Sequence, residues 1–326
     1  MISILNLEPD RYSPQARAYL DKIGKVVDGP LTRESLIHQI PAYNVLIVRL
    51  YHHIDKEIID SGKKLQVIIS ATTGLNHIDI DYVKKKNIDI LSLKGEVEFL
   101  ENIHATAEHT WVLLLALTRK VLQSVQSVKR GEWDRDVFKG RELHGKTLGI
   151  VGMGRIGKKI AKYGQAFGMN VITYTKGDYE PIRDVKRVDS LSILLENSDV
   201  VSIHVPLDLT TRMMFTDKEF STMRRKALLI NTSRGEIVDE KALMKAIKDG
   251  SISGAALDVV SNEEALKFQK SKIIEFAKKD DRLIITPHIG GATYESMEKT
   301  EIFMAKKLHN YFQIKLSSKQ KRKRFV

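Results

Sequence analysis

Residues 147–161 read TLGIVGMGRIGKKIA, and this stretch decides the predicted fold. An apolar run ends at Gly152, and Gly154 and Gly157 complete the spacing G-x-G-x-x-G before a helix-forming segment. The first glycine permits a tight turn, the second lets the backbone approach a pyrophosphate, and the third lets helix and strand pack closely. Free N–H groups at the start of the helix would face the anion. The stretch therefore predicts a strand–turn–helix unit that binds a dinucleotide.

The sequence around and after this loop has the organisation of a complete dinucleotide-binding fold. Apolar runs alternate with helical or turn-rich stretches, and six strands with intervening helices are the number expected of that fold. The six runs read KTLGIVGMG, NVITYT, DVVSIHVP, ALLINTS, GAALDVV and LIITPH. We predict that they form one doubly wound parallel sheet.

The first hundred residues show the same alternation. Four apolar runs, MISILNL, NVLIVRL, LQVIISA and IDILSL, are separated by amphipathic segments, which is typical of βα units around a parallel sheet. Two longer helices are predicted, one from Asn102 to Lys120 and one from Tyr294 to Phe312. The predicted fold class is α/β: two Rossmann-like, doubly wound domains, the first of them flavodoxin-like, with a cleft between them.

The composition excludes several kinds of protein. The chain has 326 residues, 42% of them hydrophobic, which suits two domains. It contains no Cys, so it can form neither disulfides nor thiolate metal sites, and a reducing compartment is expected. Its first residues lack the pattern of an export signal, and its longest apolar stretch is far below the roughly 20 residues that span a bilayer. We expect a cytoplasmic protein without membrane contact.

The positive charge of the chain suggests anionic ligands. The formal net charge is +12, and six of the last twelve residues are Lys or Arg. Such a basic end could contact nucleic acid or an acidic membrane surface, but a solvated terminus is the expected reading. The remaining basic residues are mixed with acidic ones and suit anionic substrates and phosphorylated cofactors. We expect no nucleic-acid partner.

The end of the second strand after the glycine loop selects the cofactor. An acidic residue there would bind the ribose hydroxyls of NAD. Here the chain reads VITYTKGD, with Thr175 and Lys176 at that place. A 2′-phosphate could pair with Lys176 and accept a hydrogen bond from Thr175, which favours NADP. Asp178 could still reach the ribose if the loop folds back, so NAD stays open.

Three polar residues follow successive strands of the second series. Arg234 follows ALLINTS, Glu263 follows GAALDVV, and His288 follows LIITP. Each alone fits a simpler role, as a surface ion pair, a solvated loop residue or a turn histidine. The carboxyl ends of parallel strands meet at one edge of a sheet, so we expect the three to lie close together. Reduction of a 2-oxo acid needs such groups: a cation for the carboxylate, a proton donor for the alkoxide, and an anion that favours the charged donor.

The remaining histidines do not suggest a metal site. His52 and His53 are adjacent, and His104 and His109 are five residues apart on a predicted helix, so neither pair presents two ligands to one ion. The sequence has no H-E-x-x-H motif. We predict no metal.

With these residues in view, the chain resembles the D-isomer-specific 2-hydroxyacid dehydrogenase family over most of its length. The segments that carry the resemblance are GRELHGKTLGIVGMGRIGKKIA, HVPLDLTTRMMF, LINTSRGEIVDEKAL, GSISGAALDVV and TPHIGGAT. Two others, TAEHT and GEWDRDVFKGREL, are most similar to the phosphoglycerate dehydrogenase branch.

The resemblance implies a nicotinamide-dependent oxidoreductase acting on 2-oxo and D-2-hydroxy acids. It implies that Arg234 binds substrate and that Glu263 and His288 form the acid–base pair. It further implies that Asp258 faces the nicotinamide carboxamide. The implied contacts to NAD or NADP are Gly152, Gly154, Arg155, Ile156, Gly157, Thr175, Lys176, Pro206, Thr211, Thr232, Ser233, Arg234, Asp258, His288, Gly290 and Gly291.

The resemblance also implies a division of the chain. Residues 1–100 and 290–326 would form the substrate-binding, catalytic domain, and residues 101–289 the dinucleotide-binding domain. The long helix from Asn102 would be the hinge and part of a homodimer interface. The implied substrate contacts are Arg49, Thr73, Gly74 and Arg234.

The sequence departs from the family pattern at a few positions, and one other function is possible for the fold. Tyr51 stands where the phosphoglycerate branch can carry a second Arg, which weakens the expected grip on 3-phosphoglycerate, and Thr72 stands where Gly is frequent. Some relatives are nicotinamide-sensing corepressors, which is the alternative function. Formate oxidation is disfavoured because that branch has Gln where Glu263 stands.

Overall fold

Two compact units make up the computed structural model, which describes residues 1–29, 31–177, 179–263 and 271–323, the last eight as helix only. Unit 1 combines Met1–Asn102 with Thr293–Val326, and unit 2 is Ile103–Ala292. Each unit has its own parallel sheet, which confirms the predicted α/β class with two Rossmann-like domains. Unit 1 is thus built from both ends of the chain, and unit 2 from one continuous segment.

The sheet of unit 1 has five parallel strands in the order β2-β1-β3-β4-β5. This order is the flavodoxin-like one. The strands are β1 Ile2–Asn6, β2 Gly24–Asp28, β3 Val45–Ile47, β4 Val67–Ser70 and β5 Asp89–Ser92. Strand β2 is absent from the sequence prediction because it lies at an edge. None of its five residues is fully buried, so it has no long apolar run.

The sheet of unit 2 has seven parallel strands in the order β12-β11-β10-β9-β6-β7-β8. The strands are β6 Thr147–Val151, β7 Asn170–Tyr174, β8 Val185–Arg187, β9 Val200–Ile203, β10 Leu228–Asn231, β11 Gly254–Leu257 and β12 Leu283–Ile285. The predicted number of six was wrong. The additional strand, β8, is a three-residue edge strand with two exposed basic side chains, and it therefore lacks the expected apolar pattern. The strand order reverses between β6 and β9, and ligands of such sheets bind at this reversal.

Helices cover the sheets of both units. They are α1 Pro14–Asp21, α2 Arg33–Gln39, α3 Lys56–Ser61, α4 Ile80–Lys85, α5 Val97–Glu101, α6 Ala105–Arg119, α7 Val121–Lys129, α8 Arg155–Ala166, α9 Leu191–Asn197, α10 Asp217–Thr222, α11 Glu240–Lys248, α12 Lys272–Ala277 and α13 Tyr294–Lys323. Short 3-10 helices occur at Ile40–Ala42, Asp136–Phe138 and Gly235–Ile237. Helix α13 extends past the predicted end at Phe312. Within the described ranges, no helix combines the length and the apolar character needed to cross a membrane.

The core of unit 2 lies on both faces of its sheet. Along β10, Leu229 packs into one apolar cluster, whereas Leu228 and Ile230 pack into a second. Successive side chains of a strand point to opposite faces, so a strand covered on both sides is expected to be apolar along most of its length. This burial explains why the unit 2 strands, apart from β8, could be read from the sequence as apolar runs.

A buried charged cluster joins the C-terminal helix to the rest of unit 1. Glu301 of α13 is 2% exposed, and its Oε2 accepts a hydrogen bond from the Ser13 N–H at 2.6 Å. Its Oε1 lies 3.3 Å from Nη1 of Arg49, whose Nη2 donates to the Glu8 carbonyl at 3.0 Å. Burial raises the pKa of Glu301, and Ser13 and Arg49 oppose that effect. The cluster ties α13 to the loops that follow β1 and β3.

Leu229→Ala is expected to destabilise unit 2 by about 2–5 kcal/mol, because it removes a side chain that is 0% exposed and leaves a cavity. Leu209→Ala is the matched control: this leucine is 96% exposed, and its loss is expected to cost less than about 0.5 kcal/mol. Urea denaturation followed by circular dichroism measures both. Equal losses in the two variants would contradict the assignment of this core.

Candidate active site

The three glycines of the G-x-G-x-x-G loop have different steric surroundings. Gly152 has φ of +98°, and a Cβ there would lie 2.7 Å from the carbonyl oxygen of His204. A Cβ on Gly157 would lie 2.2 Å from the Gly152 carbonyl oxygen. At Gly154, the N-cap of α8, a Cβ would meet no atom of the described residues within 4 Å. The start of α8 therefore offers open space beside backbone N–H groups, which fits a pyrophosphate.

The next two residues anchor the start of α8. Arg155 Nη1 donates to the carbonyl of Ile103 at 3.0 Å, and Ile156 is partly buried against an apolar cluster of unit 2. Both residues thus help to hold the helix that follows the glycine loop.

The cofactor-selecting position lies at the end of β7. Lys176 is exposed, and the carbonyl of Thr175 accepts a hydrogen bond from Arg187 Nη2 at 3.0 Å. Arg187 ends β8, so a second cation lies at the end of β7 that the sequence analysis missed together with its strand. Asp178, the alternative ribose ligand, lies outside the described residues.

The loop after β9 is closed by a threonine. Thr211 Oγ1 donates to the Pro206 carbonyl at 2.6 Å and accepts from the Asp208 N–H at 2.9 Å. Thr211 is buried, so these bonds fix the shape of the loop.

The residues before Arg234 hold the end of β10 to its surroundings. Thr232 Oγ1 lies 2.8 Å from Thr110 Oγ1 on α6, and Ser233 Oγ donates to the Ile203 carbonyl at 2.9 Å. The peptide groups of Thr232 and Ser233 therefore lie at the edge of the sheet where β9 and β10 end.

Glu263 and His288 are in direct contact. His288 Nδ1 lies 2.6 Å from Glu263 Oε2, and the other carboxylate oxygen, Oε1, accepts the Val260 N–H at 3.0 Å. When the Nδ1 proton is directed at the carboxylate, the other ring nitrogen, Nε2, is the one that can exchange a proton with a bound molecule. The predicted pair therefore exists as a hydrogen-bonded unit, although its members are 25 positions apart.

Arg234 lies close enough to Glu263 for the carboxylate charge to affect the pKa of its guanidinium. Burial lowers the pKa of Arg234, and the charges of Glu263 and Glu236 act in the opposite direction. Its Nη1 donates to the Ser233 carbonyl at 2.6 Å. The three predicted catalytic residues therefore share one region of unit 2.

Asp258 is surrounded by donors rather than open to a ligand on all sides. Its Oδ1 lies 3.1 Å from His109 Nε2, and Thr286 Oγ1 donates to it at 2.6 Å. The N–H groups of Ile289 and Gly290 donate to the carboxylate at 2.8 and 2.7 Å. Burial disfavours the charged form, but these hydrogen bonds outweigh it and lower the pKa of Asp258.

This network includes a residue that sequence reasoning dismissed. The sequence offers His109 only as a metal ligand with His104, which the spacing disfavours, whereas in the structure His109 lies on α6 within hydrogen-bond distance of Asp258 and Thr286. No spacing in the sequence signals a contact between residues 149 positions apart. The two glycines after His288, Gly290 and Gly291, both lie in a turn.

The predicted substrate residues of unit 1 lie in two loops. Thr73 and Gly74 follow β4, where Thr72 Oγ1 donates to the Gly74 carbonyl at 2.8 Å and lies 2.9 Å from Ser70 Oγ. The threonine that replaces the frequent glycine thus stiffens this turn. Arg49 follows β3 and is 18% exposed in the cluster with Glu301.

Comparison with known proteins identifies the family. The sequence model described as D-isomer specific 2-hydroxyacid dehydrogenase, NAD binding domain, matches residues 111–290. A D-3-phosphoglycerate dehydrogenase of Methanocaldococcus jannaschii is 35% identical over 312 residues, which are 94% of this chain and 57% of that protein. A hydroxypyruvate reductase of Thermotoga maritima is 34% identical over 284 residues, covering 87% of this chain and 90% of that protein. The chain thus spans little more than half of the first relative.

A solved structure agrees with these matches. The D-lactate dehydrogenase of Aquifex aeolicus, crystallised with NAD and lactic acid, superimposes with a TM-score of 0.85 at 29% identity, over 97% of this chain and 96% of that one. These similarities confirm the resemblance found in the sequence, and they connect the fold to a nicotinamide dinucleotide. The chain belongs to the D-isomer-specific 2-hydroxyacid dehydrogenase family.

Proposed function

We propose that this chain is an oxidoreductase that transfers a hydride between NAD(P)H and C2 of a small 2-oxo acid, the reverse reaction oxidising a D-2-hydroxy acid. The observation that carries the proposal is the 2.6 Å contact between His288 and Glu263, in the unit that also holds Arg234 and the glycine loop. A histidine held by a carboxylate near a half-buried arginine is suited to exchange a proton with an oxygen whose charge changes.

The proposal assigns a role to each unit. Unit 2 is the dinucleotide-binding domain, with Gly154 and the start of α8 holding the pyrophosphate. Unit 1 is the substrate-binding domain, with the N–H groups at Thr73 and Gly74 as carboxylate ligands. The open space at Gly154 supports the first assignment, and the ordered turn around Gly74 supports the second.

The residues of unit 2 account for the proton chemistry of reduction. The reduced nicotinamide, when bound, supplies the hydride to C2. Arg234 binds the substrate carboxylate and polarises the carbonyl, and burial strengthens both effects. His288 Nε2 donates a proton to the carbonyl oxygen as C2 accepts the hydride, so the product is the neutral hydroxyl. Glu263 holds Nδ1–H and stabilises the imidazolium before the transfer.

The surroundings of Arg49 favour a substrate without a phosphate group. Its guanidinium already bonds the Glu8 carbonyl and lies 3.3 Å from Glu301. Tyr51 supplies no second cation in this loop. We therefore propose glyoxylate, hydroxypyruvate or pyruvate rather than a phosphorylated acid as the preferred class.

An absorbance assay at 340 nm tests the reaction class directly. NADH and NADPH are each offered with glyoxylate, hydroxypyruvate, pyruvate, longer 2-oxo acids and phosphohydroxypyruvate. We expect turnover with one or more of the small unphosphorylated acids. Tight nucleotide binding without turnover of any acid would contradict the proposed reaction.

His288→Gln is expected to lower kcat by about 10²–10⁴-fold, because the proton donor is lost. Cofactor affinity, measured by nicotinamide fluorescence, is expected to change little. His38→Gln, which alters an exposed histidine of α2, is the control and should match the wild type. Near-normal turnover of His288→Gln would exclude this residue as the donor.

We propose NADP as the preferred cofactor. Thr175 and Lys176 occupy the position of the selective acidic residue, and Arg187 adds a guanidinium 3.0 Å from the Thr175 carbonyl. Two cations near the end of β7 suit a 2′-phosphate, because an arginine fork binds phosphate oxygens with particular strength.

Arg187→Ala is expected to raise KM for NADPH about tenfold, the effect of losing roughly 1.4 kcal/mol of binding. KM for NADH should stay within about twofold, because NADH carries no 2′-phosphate. Lys186→Ala is the matched control, since neighbouring side chains of a strand point to opposite faces. Steady-state kinetics with both cofactors measures the effect, and equal changes for NADPH and NADH would rule out a phosphate contact.

We propose that the protein is a homodimer that uses α6 and α7. Helix α7 presents an apolar stripe whose members are 43–53% exposed: Val121, Leu122, Val125 and Val128. Trp133 and Val137, in the segment after α7, are 88% and 57% exposed. Exposed apolar residues concentrated in this way are typical of an interface.

The double variant Leu122→Asp/Val125→Asp is expected to convert a dimer into a monomer, because it buries two charges at the interface. Light scattering after size-exclusion chromatography measures the mass. Val97→Asp, at an exposed valine of α5 in unit 1, is the control and should stay dimeric. A wild-type protein with the mass of one chain would contradict the dimer.

We also propose a cytoplasmic location, which the absence of Cys supports. No observation favours the corepressor-like alternative.

A further inference from the structure

The turn that carries Arg234 is packed against the loop that carries Glu263. Gly235 is buried, and a Cβ there would lie 1.9 Å from the carbonyl carbon of Val260 and 2.3 Å from the Ser261 nitrogen. Both are backbone atoms and cannot move aside as a flexible side chain would. Residues 234–240, the arginine segment, therefore form a close-fitting support for residues 260–263, the glutamate loop.

A hydrogen bond connects the arginine segment to the glutamate loop at a second point. The Ser261 N–H donates to Glu240 Oε1 at 2.6 Å. Glu240 is the first residue of α11. The side chain of the N-cap, Asp239, accepts hydrogen bonds from the N–H groups of Lys241 and Ala242. Burial raises the pKa of Glu240; the hydrogen bonds from Ser261 oppose this, and the nearby charges of Asp239 and Glu236 add to it.

The glutamate loop contains a sharp backbone turn. Asn262 has φ of +57°, a left-handed conformation that is uncommon outside Gly but that Asn tolerates better than most residues. Within the loop, Glu263 Oε1 accepts the Val260 N–H, while Oε2 reaches His288. Ser261 lies between these groups, so the bond from Glu240 restrains the middle of the loop.

We propose that Glu240 is a positioning residue of the acid–base pair: its hydrogen bond to Ser261, with Gly235 as support, places Glu263 against His288. The inference rests on the proposed function and deepens it. The arginine segment also begins with Arg234. One run of seven residues therefore positions both the substrate-binding arginine and the proton-donating pair. The carboxylate of Glu240 acts through Ser261 and touches no reacting atom.

Three substitutions at this position separate hydrogen bonding from charge. Glu240→Gln keeps the length and an acceptor oxygen but loses the charge, whereas Glu240→Asp keeps the charge but is too short to reach Ser261. Glu240→Ala removes both. We expect kcat of the Gln variant to stay within about threefold of the wild type, and kcat of the Asp and Ala variants to fall about tenfold or more, with cofactor KM unchanged.

Ser190→Ala provides the control for a merely structural role. Ser190 is the N-cap of α9 in unit 2, and its side chain accepts the Ile193 N–H, so its loss should lower Tm but retain kcat. A Glu240→Asp variant more active than Glu240→Gln would overturn the proposal, because charge would then matter more than reach. Equal kcat losses in Ser190→Ala and Glu240→Ala would also overturn it.

Proton NMR tests the positioning without turnover. The imidazole proton between His288 and Glu263 should give a downfield resonance, which is assigned by its loss in Glu263→Gln. We expect this resonance to persist in Glu240→Gln and to disappear or move upfield in Glu240→Ala and Glu240→Asp. An unchanged resonance in the Asp variant would overturn the inference. If the wild type reduces no 2-oxo acid, the proposed function fails, while the NMR result still decides the role of Glu240.

Discussion

The contact between Glu263 and His288 depends on a property of parallel sheets. Strands β10, β11 and β12 are neighbours and run in the same direction, so their carboxyl ends leave the sheet at one edge. The loops that follow them therefore meet, although the chain travels through a helix between one strand and the next. These strands are buried on both faces, and Arg234, Glu263 and His288 lie in the segments that follow them.

The loop that carries His288 is held by polar contacts rather than by apolar packing. His288 has φ of +54°, which is unfavourable for a residue with a Cβ, and its N–H donates to the Asp258 carbonyl at 2.8 Å. The Asp258 carboxylate, which is 1% exposed, accepts hydrogen bonds from the N–H groups of Ile289 and Gly290. A buried carboxylate is costly unless its oxygens are hydrogen-bonded, so few arrangements of this loop satisfy them. Asp258 is thus a structural anchor of the histidine loop as well as the expected neighbour of the nicotinamide.

Arg49 shows how one side chain serves a unit built from both ends of the chain. Its guanidinium connects the loop after β1, through Glu8, with helix α13, through Glu301. These contacts add to the packing of α13 against α1 in unit 1. They also engage the cation that the resemblance assigns to substrate binding, and on this ground we propose an unphosphorylated acid as the preferred substrate class.

The sequence by itself determined the fold class, the glycine loop and the pairing of Glu263 with His288. Each of these leaves a local pattern: apolar runs for doubly covered strands, G-x-G-x-x-G for the turn, and single polar residues just after strands. The edge strands β2 and β8 left no such pattern, because one side of an edge strand faces solvent and tolerates polar residues. The bonds of His109 to Asp258, of Arg187 to Thr175 and of Glu240 to Ser261 were decided by the tertiary structure alone. Each joins residues from different elements, and a hydrogen bond requires its two atoms to be within about 3 Å, a condition that only the folded backbone can set.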